Sequence, residues 1–171
     1  MCIRLSQKLF SRTGRTYVYA FSLYLPADFP ETRERLVLAQ WRQLCEARKC
    51  QPDRPVLALR YEEGHIQVTR QNQDEKVTLY QGAEDVRGKW MDFRFAARFE
   101  SSSEGSVDVT LNDQKIAAYR GPTVFRESRG YPRHELVYFK TGLYRDALGE
   151  PPWTIYLDEY HKDECPLSGC E

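Results

Sequence analysis

Long apolar runs are missing from this chain of 171 residues. None approaches the roughly 20 residues that a membrane-crossing helix needs. The opening "MCIRLSQKLFSRTGR" lacks the apolar stretch of ~7–15 residues that marks a secretory leader. The expectation is a cytoplasmic protein, or a secreted or periplasmic one whose leader lies outside this sequence, with no membrane partner. A surplus of one charge is missing as well. Lys and Arg number 25, and so do Asp and Glu, which removes the basic footprint of a nucleic-acid binder. Histidine is scarce, with three in the chain. The two-residue gap preferred by zinc ribbons is also absent. Cys45 and Cys50 stand five apart, as do Cys165 and Cys170, and Cys2 is left over. Three readings stay open: local disulfides in an oxidising compartment, reduced thiols, or a four-thiolate zinc site.

Strand signals dominate what is present. "RTYVYAFSLYL" is aromatic and β-branched and stops at Pro26. "ERLVLAQWRQ" reads as a strand, although "ETRERLVLAQWRQLCEARK" also fits a helix. "PVLALRYEEGHIQVTR" is a hairpin turning at Glu63-Gly64, and "GSVDVTLNDQKIAAYRG" is a second around Asn112-Asp113. "KVTLYQG", "KWMDFRFAARFE", the opening stretch and "WTIYLDEYHK" complete the set. Short strands at intervals of about ten residues point to an all-β antiparallel sandwich. The length suits one domain over 1–171, with an irregular tail from about residue 163.

Alternation then assigns faces. In "VYFKTGLYRD", Tyr138, Lys140, Gly142 and Tyr144 share one side, while Phe139 and Leu143 point to a core. The glycine leaves a bare patch between an ammonium and a phenol, as if another molecule lay there. The same rule puts Val37, Ala39 and Trp41 on one face, and Leu38, Gln40 and Arg42 on the other. Arg60 would share its face with Val56 and Ala58.

The segments "YVYAFSLYLPADFP", "LVLAQWRQ", "PVLALRYEEGHIQV", "GKWMDFRFAARF", "GSVDVTLNDQKI", "YFKTGLYRD" and "WTIYLDEY", in this order, resemble the polysaccharide lyases of the heparin lyase I and glucuronan lyase type. The resemblance runs from about Tyr17 to Tyr160. It implies a β-jelly roll with a concave groove, and it places Lys140 and Tyr144 in that groove. It also implies that Gln40 helps hold the substrate. Two departures stand out. Where the family's Gln-x-His strand has histidine, this chain has Arg42, and "CIRLS" offers Arg4 without the acid of the family's opening strand.

The chemistry such a lyase performs sets further demands. Removing the C5 proton of a uronate requires that the neighbouring carboxylate be neutralised, a role suited to Gln40, Arg42 and Lys140. Tyrosine titrates near pH 10 unless a neighbouring cation stabilises the phenolate. Tyr144, with Lys140 and Arg42 beside it, is the expected base and then acid. The scheme needs no cofactor, and it leaves room for a structural calcium. Arg60, Tyr138, His134 and Arg145 are expected to bind substrate, with Arg133 at the rim. His65 and His161 are weaker candidates. The expected partner is an anionic polysaccharide, taken by a monomer. A non-catalytic carbohydrate-binding jelly roll is the alternative. A laminarinase-like hydrolase would need acids two residues apart on one strand. Here Asp158 and Glu159 are adjacent.

Overall fold

The computed structural model describes residues 10–44, 54–126, 136–145 and 152–166. Every regular element among them is a strand. They are β1 (Phe10–Arg12), β2 (Thr16–Tyr24), β3 (Leu36–Gln43), β4 (Leu57–Glu62), β5 (His65–Gln71), β6 (Lys76–Gln81), β7 (Trp90–Arg98), β8 (Ser106–Leu111), β9 (Gln114–Arg120), β10 (Leu136–Arg145) and β11 (Tyr156–Glu164). All pairings are antiparallel and form two sheets, ordered β1-β10-β3-β4-β5-β6 and β11-β2-β7-β8-β9. The two hairpin turns fall where expected. Glu63 and Gly64 take φ of 49° and 85°, and Asn112 and Asp113 take 48° and 62°, the left-handed pair of a tight hairpin turn. The segment that also fitted a helix is strand β3. β11 continues to Glu164, past the expected start of an irregular tail.

The sheets enclose an aromatic core. Trp41 of β3 is completely buried and lies 4.6 Å from the ring of Phe95, 4.9 Å from Phe139 and 5.3 Å from Tyr19. Phe21 of β2 reaches Phe139 across the same interior. These contacts join strands from both sheets, and such ring pairs add to the hydrophobic term of burial.

Two bulges alter the faces that simple alternation assigns. Between Ala39 and Val37, β3 spends two residues against one of β4, which pairs Ala39 with Leu59 but Val37 with Arg60. Leu38 and Ala39 therefore both join the core, while Val37 turns to the outer face. Between Thr141 and Tyr144, β10 spends three residues against two of β3. Thr141 Oγ1 donates to the Leu38 carbonyl at 3.0 Å, tying the two bulges together. Val56, which precedes β4, also lies in the core and does not share the face of Arg60.

Where the sheet edges β1 and β11 approach, Lys162 lines a cleft of about 720 Å³ with Phe10, Arg12, Tyr17 and Glu164. Its Nζ donates to the Phe10 carbonyl at 2.6 Å and lies 4.9 Å from the Tyr17 ring centroid. Burial nevertheless pulls the ammonium down to about 8, against a smaller upward pull from Glu164. Between that value and the ordinary lysine range, the unfolded chain binds a proton that the folded one lacks. Stability should then rise with pH through the window. Above about pH 10 the buried tyrosines Tyr17, Tyr19 and Tyr61, whose phenols burial raises, act in the opposite direction. Urea midpoints are expected to climb from pH 8 to 9.5 in the wild type, and to climb less in Lys162→Met. Equal slopes would remove this assignment. Cys165, just past β11, is disulfide-bonded, and its backbone N–H donates to Thr16. Cys2, Cys45, Cys50 and Cys170 lie outside the described residues.

Candidate functional site

The outer face of the six-stranded sheet gathers most of the expected side chains. Directly paired residues on antiparallel strands share a face, so the register reads as rows. One row holds Tyr138 opposite Arg42, and the next holds Lys140, Gln40 and Ala58. Beyond the bulges, a third row holds Tyr144, Val37 and Arg60. Gln40, Lys140, Gly142 and Tyr144 line a shared hollow of about 170 Å³ with Val37 beneath it. Gly142 has φ +137°, and a Cβ built on it would meet no atom within 4 Å. The bare patch is thus real space, and the glycine is needed for its backbone angle, which side chains rarely adopt. Bulges of this kind re-aim side chains near sites of chemistry.

Polarity varies along these rows. Lys140 is exposed, with Nζ 5.1 Å from the ring centroid of Tyr138. Gln40 is buried and offers an amide at the floor. Arg60 is half-buried and donates from Nε to Thr69 Oγ1 at 3.0 Å. Burial lowers its guanidinium from the usual range, and the like charge of Arg35 lowers it further. Lys76 on β6 is likewise depressed by burial, then by Arg60 and Arg54. Cations that crowd one another on one face suit an anionic ligand, even on a neutral protein.

Two expectations need correction. Tyr144 is not beside Arg42. It pairs with Val37, and five positions of β3 separate the two residues. The cation over Tyr144 is Arg35, whose guanidinium carbon stands 5.3 Å from the ring centroid. Arg35 was legible only as one basic residue in "ETRERL". Without knowledge of the β3 bulge, its parity pointed to the core side with Val37 and Trp41. Arg145 is also out of place for a groove residue. It pairs with Leu36, a core residue, and its guanidinium lies 4.2 Å from the ring centroid of Trp153. Among the described residues, neither His65 nor His161 replaces the missing histidine. His65 Nδ1 lies 3.1 Å from the Glu84 carbonyl, and His161 belongs to the other sheet. His134 and Arg133 lie outside the described residues. Among the described residues, no group of three His, Cys, Asp or Glu side chains stands ready to hold a metal ion.

The comparisons with known proteins agree with this architecture. No curated relative matches the sequence. Among solved structures, the chain is similar to the endo-β-1,4-glucuronan lyase of the fungus Trichoderma reesei. That match has a TM-score of 0.71 at 16% identity, covering 89% of this chain and 69% of the other. It is also similar to alginate lyase A1-II′ of polysaccharide lyase family 7, with a TM-score of 0.62 at 14% identity, covering 95% and 67%. Alginate lyase Aly36B, solved with an alginate trisaccharide, gives 0.60 at 11% identity, covering 91% and 73%. At such identities these likenesses establish a shared β-jelly roll. The family model for polysaccharide lyases matches residues 3–161, nearly the whole chain, and the protein therefore belongs to the polysaccharide lyase family.

Proposed function

We propose that the outer face of the six-stranded sheet cleaves a uronate-containing polysaccharide by β-elimination. The observation that carries this reading is the shared hollow lined by Gln40, Lys140 and Tyr144. A uronate seated over Gly142 would place its carboxylate against the Gln40 amide and the Lys140 ammonium, which withdraw its charge and make the C5 proton removable. The oxygen of Tyr144, acting as the phenolate, takes that proton as the C4–O bond breaks and a C4–C5 double bond forms. The same oxygen then returns a proton to the departing sugar oxygen. Arg35, over the ring, favours the phenolate that opens the cycle and is regenerated when the proton passes to the departing oxygen. Arg42 and Tyr138 form the neighbouring row and are assigned to the adjoining sugar, while Arg60 reaches the carboxylate of a residue on the opposite side. This assignment moves Arg42 from chemistry to binding.

One observation favours a second reading, in which the chain binds polysaccharide without cutting it: arginine occupies the position of the family's histidine. Incubation with glucuronan, alginate and heparin separates the two. Ultraviolet absorbance from an unsaturated product is the expected result. Retention on a polyuronate without any product would overturn the elimination and leave the binding module.

A further inference from the structure

The five-stranded sheet carries a feature that the elimination site does not use. In its outer face, Tyr156 of β11 pairs with Tyr24 of β2, and Tyr24 pairs with Trp90 of β7. Their ring centroids follow one another at 6.0 and 5.3 Å. Trp90 and Tyr156 are 49% and 53% exposed, far from the usual state of rings that size. Exposed aromatic groupings of this kind mark interaction sites more often than chance. Trp90 also borders a cleft of about 390 Å³ lined by Asn112, Gln114, Glu84 and Lys89 along with apolar side chains. That volume and mixture of apolar wall and polar groups fit a small-molecule or oligomer subsite.

The chemistry beside the rings narrows the ligand. The next row of the register holds Asp158, Ser22 and Asp92, and Ser22 Oγ donates to Asp92 Oδ1 at 2.6 Å. Pyranose rings present flat C–H faces to aromatic rings and a rim of hydroxyls to carboxylates and amides. A polyuronate would bring its own carboxylates against Asp92 and Asp158 in the row beside the rings and be repelled, while Glu84 in the cleft is paired with Lys89 at 3.8 Å. We infer that the Tyr156–Tyr24–Trp90 row and its adjoining cleft form a second carbohydrate site, selective for neutral polysaccharide and opposite in charge preference to the elimination face. The two sites lie on different sheets, so the protein can hold a neutral polymer while its other face engages an anionic one.

Affinity electrophoresis in gels containing xyloglucan, galactomannan or hydroxyethylcellulose tests this directly. Wild type and Lys140→Ala should be retarded equally in at least one neutral gel. Trp90→Ala and Tyr156→Ala should each lose about tenfold in apparent affinity, or roughly 1.4 kcal/mol, while keeping activity on polyuronate. Both rings are half-exposed, so truncation leaves the core intact, and circular dichroism confirms that the variants fold. Absence of retardation in all three neutral gels would overturn the inference, as would retardation unchanged in both ring variants. Sedimentation showing a concentration-dependent dimer that Trp90→Ala abolishes would also overturn it, by assigning the row to a second copy. Failure of the elimination reading would leave the gel and sedimentation outcomes unchanged, because neither depends on product formation.

Discussion

Replacing Tyr144 by phenylalanine is expected to lower kcat on the cleaved polyuronate by roughly 10²–10⁴-fold, the range for loss of a positioned proton-transfer group. KM should change little, because the ring remains and only the oxygen is removed. Folding should be unaffected, since the ring is 47% exposed and lies outside the core cluster. Steady-state kinetics with thermal unfolding as control would check both halves. Activity within about threefold of wild type would move proton transfer to another group and end the single-phenol scheme. Arg42→Gln should behave differently. Its register position opposite Tyr138 predicts a raised KM with kcat mostly retained, the signature of lost uniform binding. Equal loss of kcat and kcat/KM in Arg42→Gln would return that guanidinium to the chemistry.

How far the sequence reached this picture depended on whether a side chain's position follows from its own strand or from a neighbour's irregularity. The antiparallel sandwich was legible because apolar alternation and turn residues are local signals, and its jelly-roll form followed from the resemblance. Phe139 and Trp41 point inward, and Glu63-Gly64 turns, as composition dictates. Lys140, Gln40 and Tyr144 were legible for the same reason, helped by the resemblance of "YFKTGLY" to a known segment. The error over Tyr144 and Arg42 came from the cross-strand register, which sets Tyr138 opposite Arg42 and leaves Tyr144 five positions further along β3. The bulges then decide which cation meets the phenol. Leu38 looks like any strand leucine, and nothing local announces that β3 spends an extra residue there against β4. That single insertion turns Val37 outward and brings Arg35 over the phenol. Arg145 misled for a related reason: an arginine after a tyrosine suggests a rim, whereas Trp153, distant in sequence, captures its guanidinium. The Tyr156–Tyr24–Trp90 row needed the pairing of three strands before it existed as a unit.

Removing the carboxylate of Glu75 should destabilise the fold more than removing the guanidinium it serves. Alternation along "HIQVTR" puts Arg70 on the core side with Ile66 and Val68, and the structure buries it fully. Its guanidinium lies 4.2 Å from the ring centroid of Tyr119, on the opposite sheet, and Nη2 donates to Glu75 Oε1. Nε and Nη1 are buried without a hydrogen-bond partner. The charge is thus held by one carboxylate and one aromatic face, and desolvation has consumed much of what the pair returns. Breaking a buried pair from one side strands the other charge and costs ~3–5 kcal/mol, whereas an apolar replacement of similar shape is often neutral or better. Because the Glu75 side chain is 53% exposed, water recovers part of the loss, and Glu75→Ala should sit near ~3 kcal/mol. Arg70→Met, which fills the same space against Tyr119 without a charge to satisfy, should cost less than ~1 kcal/mol or stabilise. Chemical denaturation of both variants and of the double variant decides the matter. The double variant should resemble Arg70→Met alone, since the carboxylate has no task once the buried charge is gone. A larger loss in Arg70→Met than in Glu75→Ala would mean that the guanidinium's stacking on Tyr119, not its neutralisation, holds the two sheets together at this edge.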